Sequence, residues 1–270
     1  MNFPTFETLA TEQQGNALLV TVNRPKAMNA LAQQVVEDLH TLLDIVEEHA
    51  RHGGGWPVRG IVLTGAGGKA FVAGADIREM SAMEAAAASA YSARTQDLTL
   101  RLESLPLPVI AAVDGFALGG GCELAMACDF IYATEAASFG QPEVNLGLVP
   151  GFGGSVRLQQ LVGPARAKEL IFTGHRIHAS EAERIGLVHT VFSTATEMHD
   201  AARATIEDIA TKSPVAVANA KATINATAGR TTAEGLEVEN WSFRQAFGTE
   251  DMQEGVRAFL AKETPSFPGR

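Results

Sequence analysis

Short unbroken apolar runs alternate along the chain with longer stretches in which apolar residues recur every three or four positions. Residues 17–22 (ALLVTV) are the first run, closed by Asn23-Arg24-Pro25, and predict a strand followed by a turn. Over residues 28–50, Leu31, Val35, Leu39, Leu42, Leu43 and Val46 fall at helical spacing, with Asp38, Glu47 and Glu48 off that stripe. Residues 51–57 (RHGGGWP) predict a loop. Residues 59–64 (RGIVLT) predict a strand that feeds the glycine-rich GAGGKAFVAGAD. An alanine-rich helical stretch spans about Ile77 to Leu102 and is broken by Leu105-Pro106-Leu107-Pro108. Val109–Val113 (VIAAV) predicts a buried strand, Gly119-Gly120-Gly121 opens a helix ending near Cys128, and Phe130-Ile131-Tyr132 predicts another strand.

From Gly163-Pro164 onward strand signals nearly vanish and helical patterns run to about Lys262. The strand–helix alternation before that point implies an α/β architecture with helices covering parallel strands. The shift sets a coarse boundary between residues 160 and 200. The recurrence of apolar strand plus turn at Val62, Val109 and Ile131 hints at a repeated unit.

Length and charge narrow the function. A chain of 270 residues can bury a sizeable core without staples. Lys and Arg total 21 against 31 Asp and Glu, a net charge of −10. With no basic cluster, the chain is a poor binder of nucleic acid or of an anionic membrane. An anionic ligand must then be held by local dipoles and a few placed cations. Cys122 and Cys128 are the only cysteines, on different faces of one expected helix, so they are not expected to pair; this fits a reducing, cytoplasmic setting. The N-terminus carries acids and no basic region, unlike a signal peptide. The most apolar stretch, Val109 to Cys128, is interrupted by Asp114 and Glu123, which argues against a membrane span.

Several motifs fail on inspection. Gly65-Ala-Gly67-Gly-Lys-Ala70 fits a loose dinucleotide-binding pattern, yet Phe71-Val-Ala-Gly74 follows where a helix should start. Leu63 stands at the first glycine position of a phosphate-loop reading that would end at Gly68-Lys69. No G-x-S-x-G elbow exists. The pairs His49/His52 and His175/His178, near Glu48 and Glu181, have metal-ligand spacing, but they lie in polar segments where solvated helix ends are the plainer reading.

Gly119-Gly120-Gly121-Cys122-Glu123 is more informative. Three glycines between a buried strand and a helix let the backbone approach a ligand, with first-turn N–H groups aimed at it. Glu123 sits in that turn among apolar neighbours; spacing alone leaves a dipole-complementing carboxylate and a functional one equally open. Glu143, in Phe139-Gly140-Gln141-Pro142-Glu143, is a second acid in an apolar neighbourhood. Two carboxylates converging on one apolar site suit proton transfer and the positioning of water. Phe71 to Met80 is a second glycine turn entering a helix. It offers an N–H near Ala75, and two N–H groups from separate turns are what an oxyanion hole needs.

These segments resemble the crotonase family, the enoyl-CoA hydratase/isomerase superfamily. The resemblance rests on Asn23 to Leu31, Leu63 to Gly67, Ala73 to Met80, Ala112 to Ala125, Phe139 to Glu143, Pro150 to Gly154 and the closing segment Phe259 to Phe267, in order over nearly the whole chain. It implies a crotonase-like α/β spiral of ββα units over residues 1–195 and a helical C-terminal region over 196–270. That region would build trimers, often paired into hexamers, and close the CoA site. It implies that the N–H groups of Ala75 and Gly120 hold a thioester oxygen and that Glu123 and Glu143 flank a water. In this family the acid at Glu143 donates a proton to C2 while Glu123 activates water. The acyl-CoA would lie against Arg24, Lys26, Ala27, Ala73, Asp76, Ile77, Arg78 and Gly119, with Phe259 and Lys262 contributing, in some relatives from a neighbouring subunit. Coenzyme A is then part of the substrate, and no metal or separate cofactor is expected.

Both acids being present favours hydration of a trans-2-enoyl-CoA over two rivals, enoyl-CoA isomerisation and non-catalytic acyl-CoA binding. Asp114 stands where the family often has Asn, and Glu263 where a basic residue is frequent.

Overall fold

The computed structural model describes residues 1, 3–51 and 55–270; part of the loop expected over 51–57, and His52, lie outside them. The chain opens with strands β1 (Leu9–Gln14) and β2 (Ala17–Val22), followed by helix α1 (Gln33–Arg51) and strands β3 (Gly60–Gly65) and β4 (Ala70–Val72). Helices α2 (Ile77–Met80) and α3 (Ala85–Ser104) come next. Strands β5 (Val109–Val113) and β6 (Phe116–Leu118), helix α4 (Gly120–Met126) and strands β7 (Phe130–Thr134) and β8 (Ser138–Gly140) complete the part richest in strands.

Beyond a 3-10 turn at Glu143–Leu146 lie α5 (Gly154–Val162), α6 (Pro164–Thr173), β9 (Arg176–His178), α7 (Ala179–Arg184) and β10 (Thr190–Phe192). The chain ends in α8 (Ala195–Ala210), α9 (Pro214–Thr227), α10 (Thr232–Ala246) and α11 (Glu250–Ala261).

Two sheets share the strands. One has the order β1-β2-β3-β5-β7-β10, the other β4-β6-β8-β9. The pairs β2–β3, β3–β5, β5–β7 and β7–β10 are parallel and β1–β2 is antiparallel. In the second sheet β4–β6–β8 are parallel and β9 runs against them. Each of β3/β4, β5/β6 and β7/β8 therefore steps from the first sheet to the second. This is the repeated unit hinted at by Val62, Val109 and Ile131, wound as a spiral.

The continuous apolar runs follow from burial on both faces. Ile61, Leu63, Val109, Ala111 and Val113 join the main core with Val35, Leu39, Leu42, Leu43 and Val46 of α1. Their neighbours Val62, Ile110 and Ala112 face a second core formed with Met198, Ala202 and Ile206 of α8.

Several elements differ from those the sequence predicts. The helix expected from residue 28 begins at Gln33, because Met28 and Asn29 have φ of 54° and 56°. Asn29 is fully buried there, its amide donating to Ala66 O and Ala70 O while its oxygen accepts from Arg24 N–H. Asp38, off the apolar stripe, is also buried, because Thr8 donates to it through both N–H and hydroxyl. The expected 77–102 helix is two helices broken at 81–84. Cys128 lies beyond the end of α4. The sequence pattern missed polar β1 and the short β4, β6, β8, β9 and β10, which are too brief for a periodic signal.

Candidate active site

The helix that carries Glu123 starts where the backbone does something only glycine permits. Gly119 has φ 50° and ψ −123°, and Gly121 presses so closely on the Val72 carbonyl that no Cβ would fit. This close approach of α4 to β4 sets Gly119, Gly120 and Glu123 against a cavity of about 260 Å³. Ala73, Ala75, Ile77, Gly119, Gly120, Glu123 and Glu143 all line it, together with Met80, Met83, Tyr91 and Phe152.

Opposite Gly120, the turn Gly74-Ala75-Asp76 is fixed by Leu31. Leu31 N–H donates to Gly74 O at 2.8 Å, and Asp76 N–H donates to Leu31 O at 2.8 Å, as an isolated parallel bridge. Backbone alternation then turns the Ala75 N–H away from Leu31. Asp76 caps α2 by accepting from Arg78 N–H and accepts at 3.0 Å from Arg24, whose other guanidinium nitrogen donates to Ala30 O. The Arg24 guanidinium thus ties the 24–30 turn to the cavity wall.

The two acids sit in different surroundings. Glu123 is 1% exposed, and its Oε1 accepts from Phe152 N–H at 2.8 Å and Gly154 N–H at 2.6 Å. Burial pushes its carboxyl upward, while those two donors and nearby Arg157 favour the ionised form. Glu143 lies over Gly119, where an added Cβ would be 2.7 Å from its Oε1. Burial, opposed by its own N–H and reinforced by the charge of Glu123, pushes its carboxyl up to about 7. The Gln141 amide is 2.9 and 3.2 Å from the two Glu143 oxygens and, with its nitrogen toward them, donates to both, which favours the ionised form and works against burial.

Two carboxyls, both pushed upward by burial and held by different donors, thus share one pocket, an arrangement suited to proton transfer. The cavity walls are largely apolar, and the backbone of both Ala75 and Gly120 borders it.

Comparison with known proteins decides the family. The profile of the family described as Enoyl-CoA hydratase/isomerase matches residues 12–270. This chain belongs to that family.

Among its relatives, a short-chain-enoyl-CoA hydratase of Clostridium acetobutylicum is 43% identical over 93% of this chain and 94% of its own. A probable enoyl-CoA hydratase of Rhizobium meliloti is 44% identical over 98% of this chain and 100% of its own. The crystal structure of an enoyl-CoA hydratase from Bacillus anthracis superposes with a TM-score of 0.90 at 37% identity, covering 98% of this chain and 100% of that one. The crotonase-like α/β fold with its helical C-terminal region is therefore established for this chain.

Other expected site residues stand apart from the cavity. Arg78 is on α2 without lining it. Lys26 lines a separate hollow of about 310 Å³ beside the Ala27 turn, with Lys69, a cation that sequence reasoning treated only as part of a failed phosphate loop. Phe259, 81% exposed, and Lys262 are at the end of α11 and line neither space.

Phe152, Gly154, Gln141, Tyr91 and Arg157 carry no chemical signal in the sequence; only the Pro150–Gly154 match points toward that loop. Among the described residues, which include His175 and His178 but not His52, no group of three or more His, Cys, Asp or Glu is placed to hold a metal ion. The Gly65–Ala70 turn joins β3 to β4 with no helix to receive a dinucleotide.

Proposed function

We propose that this chain is an enoyl-CoA hydratase that adds water across C2=C3 of a trans-2-enoyl-CoA to give the 3-hydroxyacyl-CoA. The observation that carries this reading is the pairing of Glu123 and Glu143 in one apolar cavity, with unlike support for their charges. The thioester oxygen lies between the N–H groups of Ala75 and Gly120. Glu123 takes a proton from water as the water oxygen bonds to C3. The electron pair of the double bond moves toward C2 and the thioester oxygen, where the N–H groups and the α4 dipole stabilise it. Glu143 delivers a proton to C2. Both groups act from one side of the double bond, so the addition is syn. The substrate gains one water and no electrons change hands, so the step requires neither metal nor redox cofactor.

The CoA part of the substrate is assigned to the Arg24–Ala27 turn, Ala73, Asp76, Ile77, Arg78 and Gly119, with Phe259 and Lys262 supplied by a second copy. The exposed apolar side chains of α9, α10 and α11 support a trimer, or a hexamer of two trimers: Ile224, Leu236, Trp241, Phe243, Phe259 and Leu260 are each more than half exposed in a single chain. Residues 1–195 would then hold the site and 196–270 the assembly surface. Two free cysteines fit a reducing cytoplasm. No described helix is long and apolar enough to cross a membrane. The test is loss of enoyl-thioester absorbance when purified protein meets crotonyl-CoA. Turnover supports the reading; CoA-ester binding without turnover, or isomerisation of a 3-enoyl-CoA alone, overturns it.

A further inference from the structure

One turn of α3 touches both halves of the site. The Tyr91 hydroxyl donates to Leu31 O at 2.7 Å. That carbonyl also accepts the Asp76 N–H, and Leu31 N–H holds Gly74 O, so Leu31 is the splint that aims Ala75. The Tyr91 ring meets the Phe152 ring edge-on, with centroids 5.3 Å apart and planes at 87°. Phe152 in turn gives its N–H to Glu123. Its ring also occupies the space that a side chain on Gly120 would need, 2.7 Å from an added Cβ. Ser92 and Gln96, which follow Tyr91 on α3, both donate to Gly151 O, at 2.6 and 2.9 Å.

We propose that Tyr91 is a positioning residue that sets the oxyanion hole and the Glu123 loop in register with each other. This rests on the hydratase reading. Its hydroxyl fixes the Ala75 arm through Leu31, and its ring fixes the Glu123 arm through Phe152. The residue is 8% exposed, with a rotamer held at both ends. Burial and the nearby charges of Glu79, Asp76 and Glu123 keep the phenol protonated, so it remains a donor across the working pH range. A hydrogen-bonded hydroxyl on a buried aromatic ring joins two segments at little further cost in side-chain entropy, because both of its torsions are already fixed by packing.

The separating experiment compares Tyr91→Phe and Tyr91→Leu with the unaltered protein in two measurements. One is crotonyl-CoA hydration; the other is the thioester carbonyl stretch of bound butanoyl-CoA, which is saturated and is not hydrated. In Tyr91→Phe the ring stays and the hydroxyl goes. The expected result is a fall in kcat of about tenfold, as for the loss of one buried hydrogen bond, with KM within about twofold. The carbonyl stretch should move back toward that of free butanoyl-CoA, while the pH limb belonging to Glu143 stays in place. In Tyr91→Leu the Phe152 contact is lost too, so kcat should fall further and the limb belonging to Glu123 should shift.

A Tyr91→Phe protein with unaltered kcat and an unaltered carbonyl stretch overturns the proposal. So does a Tyr91→Leu protein whose Glu123 limb and kcat match those of Tyr91→Phe. Loss of activity in either variant with the carbonyl stretch at the unaltered value also overturns it, because general loosening, not aim at the carbonyl, would be the cause. If the unaltered protein polarises butanoyl-CoA but does not hydrate crotonyl-CoA, the hydratase reading fails and the carbonyl measurement still judges Tyr91.

Discussion

Gly154 holds Glu123: its N–H lies 2.6 Å from Oε1, and a Cβ on residue 154 would come within 2.9 Å of that same oxygen. The 151–154 loop is thus built around one carboxylate. Phe152 adds a second N–H, and Arg157 locks the loop by donating to Phe152 O at 3.0 Å while paired with Glu103. These two backbone donors and Arg157 favour the anion and oppose the burial that pushes the Glu123 carboxyl upward.

The same crowding predicts the effect of Gly154→Ala. The methyl group meets both Glu123 Oε1 and the Gln141 amide at 2.9 Å. Displacing a catalytic group by about 1 Å can cost about 10²-fold in rate, so kcat for crotonyl-CoA should fall by that order while CoA-ester affinity is kept. Steady-state kinetics with a competitive acyl-CoA ligand check both halves.

Gly119 is the corresponding point for Glu143. Its φ of 50° with ψ of −123° is a conformation side chains resist, and an added Cβ would lie 2.7 Å from Glu143 Oε1. Gly119→Ala should lower kcat and also lower the thermal midpoint, whereas Glu143→Gln should lower kcat without that loss of stability. Thermal melts of the two variants beside kinetics distinguish them.

Glu143 also links stability to pH. Its folded-state carboxyl titrates near 7, above the ordinary carboxylate value of 4.5. Between those values the folded state binds more protons than the unfolded one, so this group's contribution to stability declines as pH rises through that window. Glu143→Gln removes the effect. The variant should therefore gain stability relative to the unaltered protein at pH 8 and show little difference at pH 4. Denaturant midpoints at the two pH values test this. Hydration by the unaltered protein should fall as pH rises past about 7, as the proton donor is lost.

Much of the fold could be read from the sequence. The apolar runs at 60–64 and 109–113 are buried on both faces and that at 17–22 fully on one, and such strands announce themselves by composition. The four-stranded sheet does not, because β4, β6, β8 and β9 are three residues each and carry no period. Glu123 and Glu143 stood out because carboxylates among apolar neighbours are costly. Phe152, Gly154 and Tyr91 did not, since an aromatic or glycine in apolar company is ordinary until the fold shows its partner. Asn29 was hidden in a helical pattern, and only its left-handed backbone and three hydrogen bonds reveal it as the knot of the 24–30 turn.

The assembly prediction concerns α10 and α11. Trp241 is 62% and Phe259 81% exposed in one chain. Light scattering at micromolar concentration should give a trimer or hexamer, and Trp241→Glu with Phe243→Glu should dissociate it. Lys262→Ala should raise KM several-fold with little change in kcat, because it removes binding common to ground and transition states. A monomeric unaltered protein, or an unchanged KM in Lys262→Ala, contradicts the shared site.

The central claim is that Glu123 and Glu143 work on one water, and crotonyl-CoA hydration by purified Glu123→Gln tests it most directly. The substitution is nearly isosteric and leaves an amide oxygen to accept from Phe152 and Gly154. A positioned acid–base group is worth about 10²–10⁴ in rate, so hydration should fall by that factor, and the Glu123→Gln/Glu143→Gln double variant should be little worse than the worse single one. Near-normal hydration by Glu123→Gln, with Glu143→Gln alone inactive, would contradict the two-carboxylate mechanism.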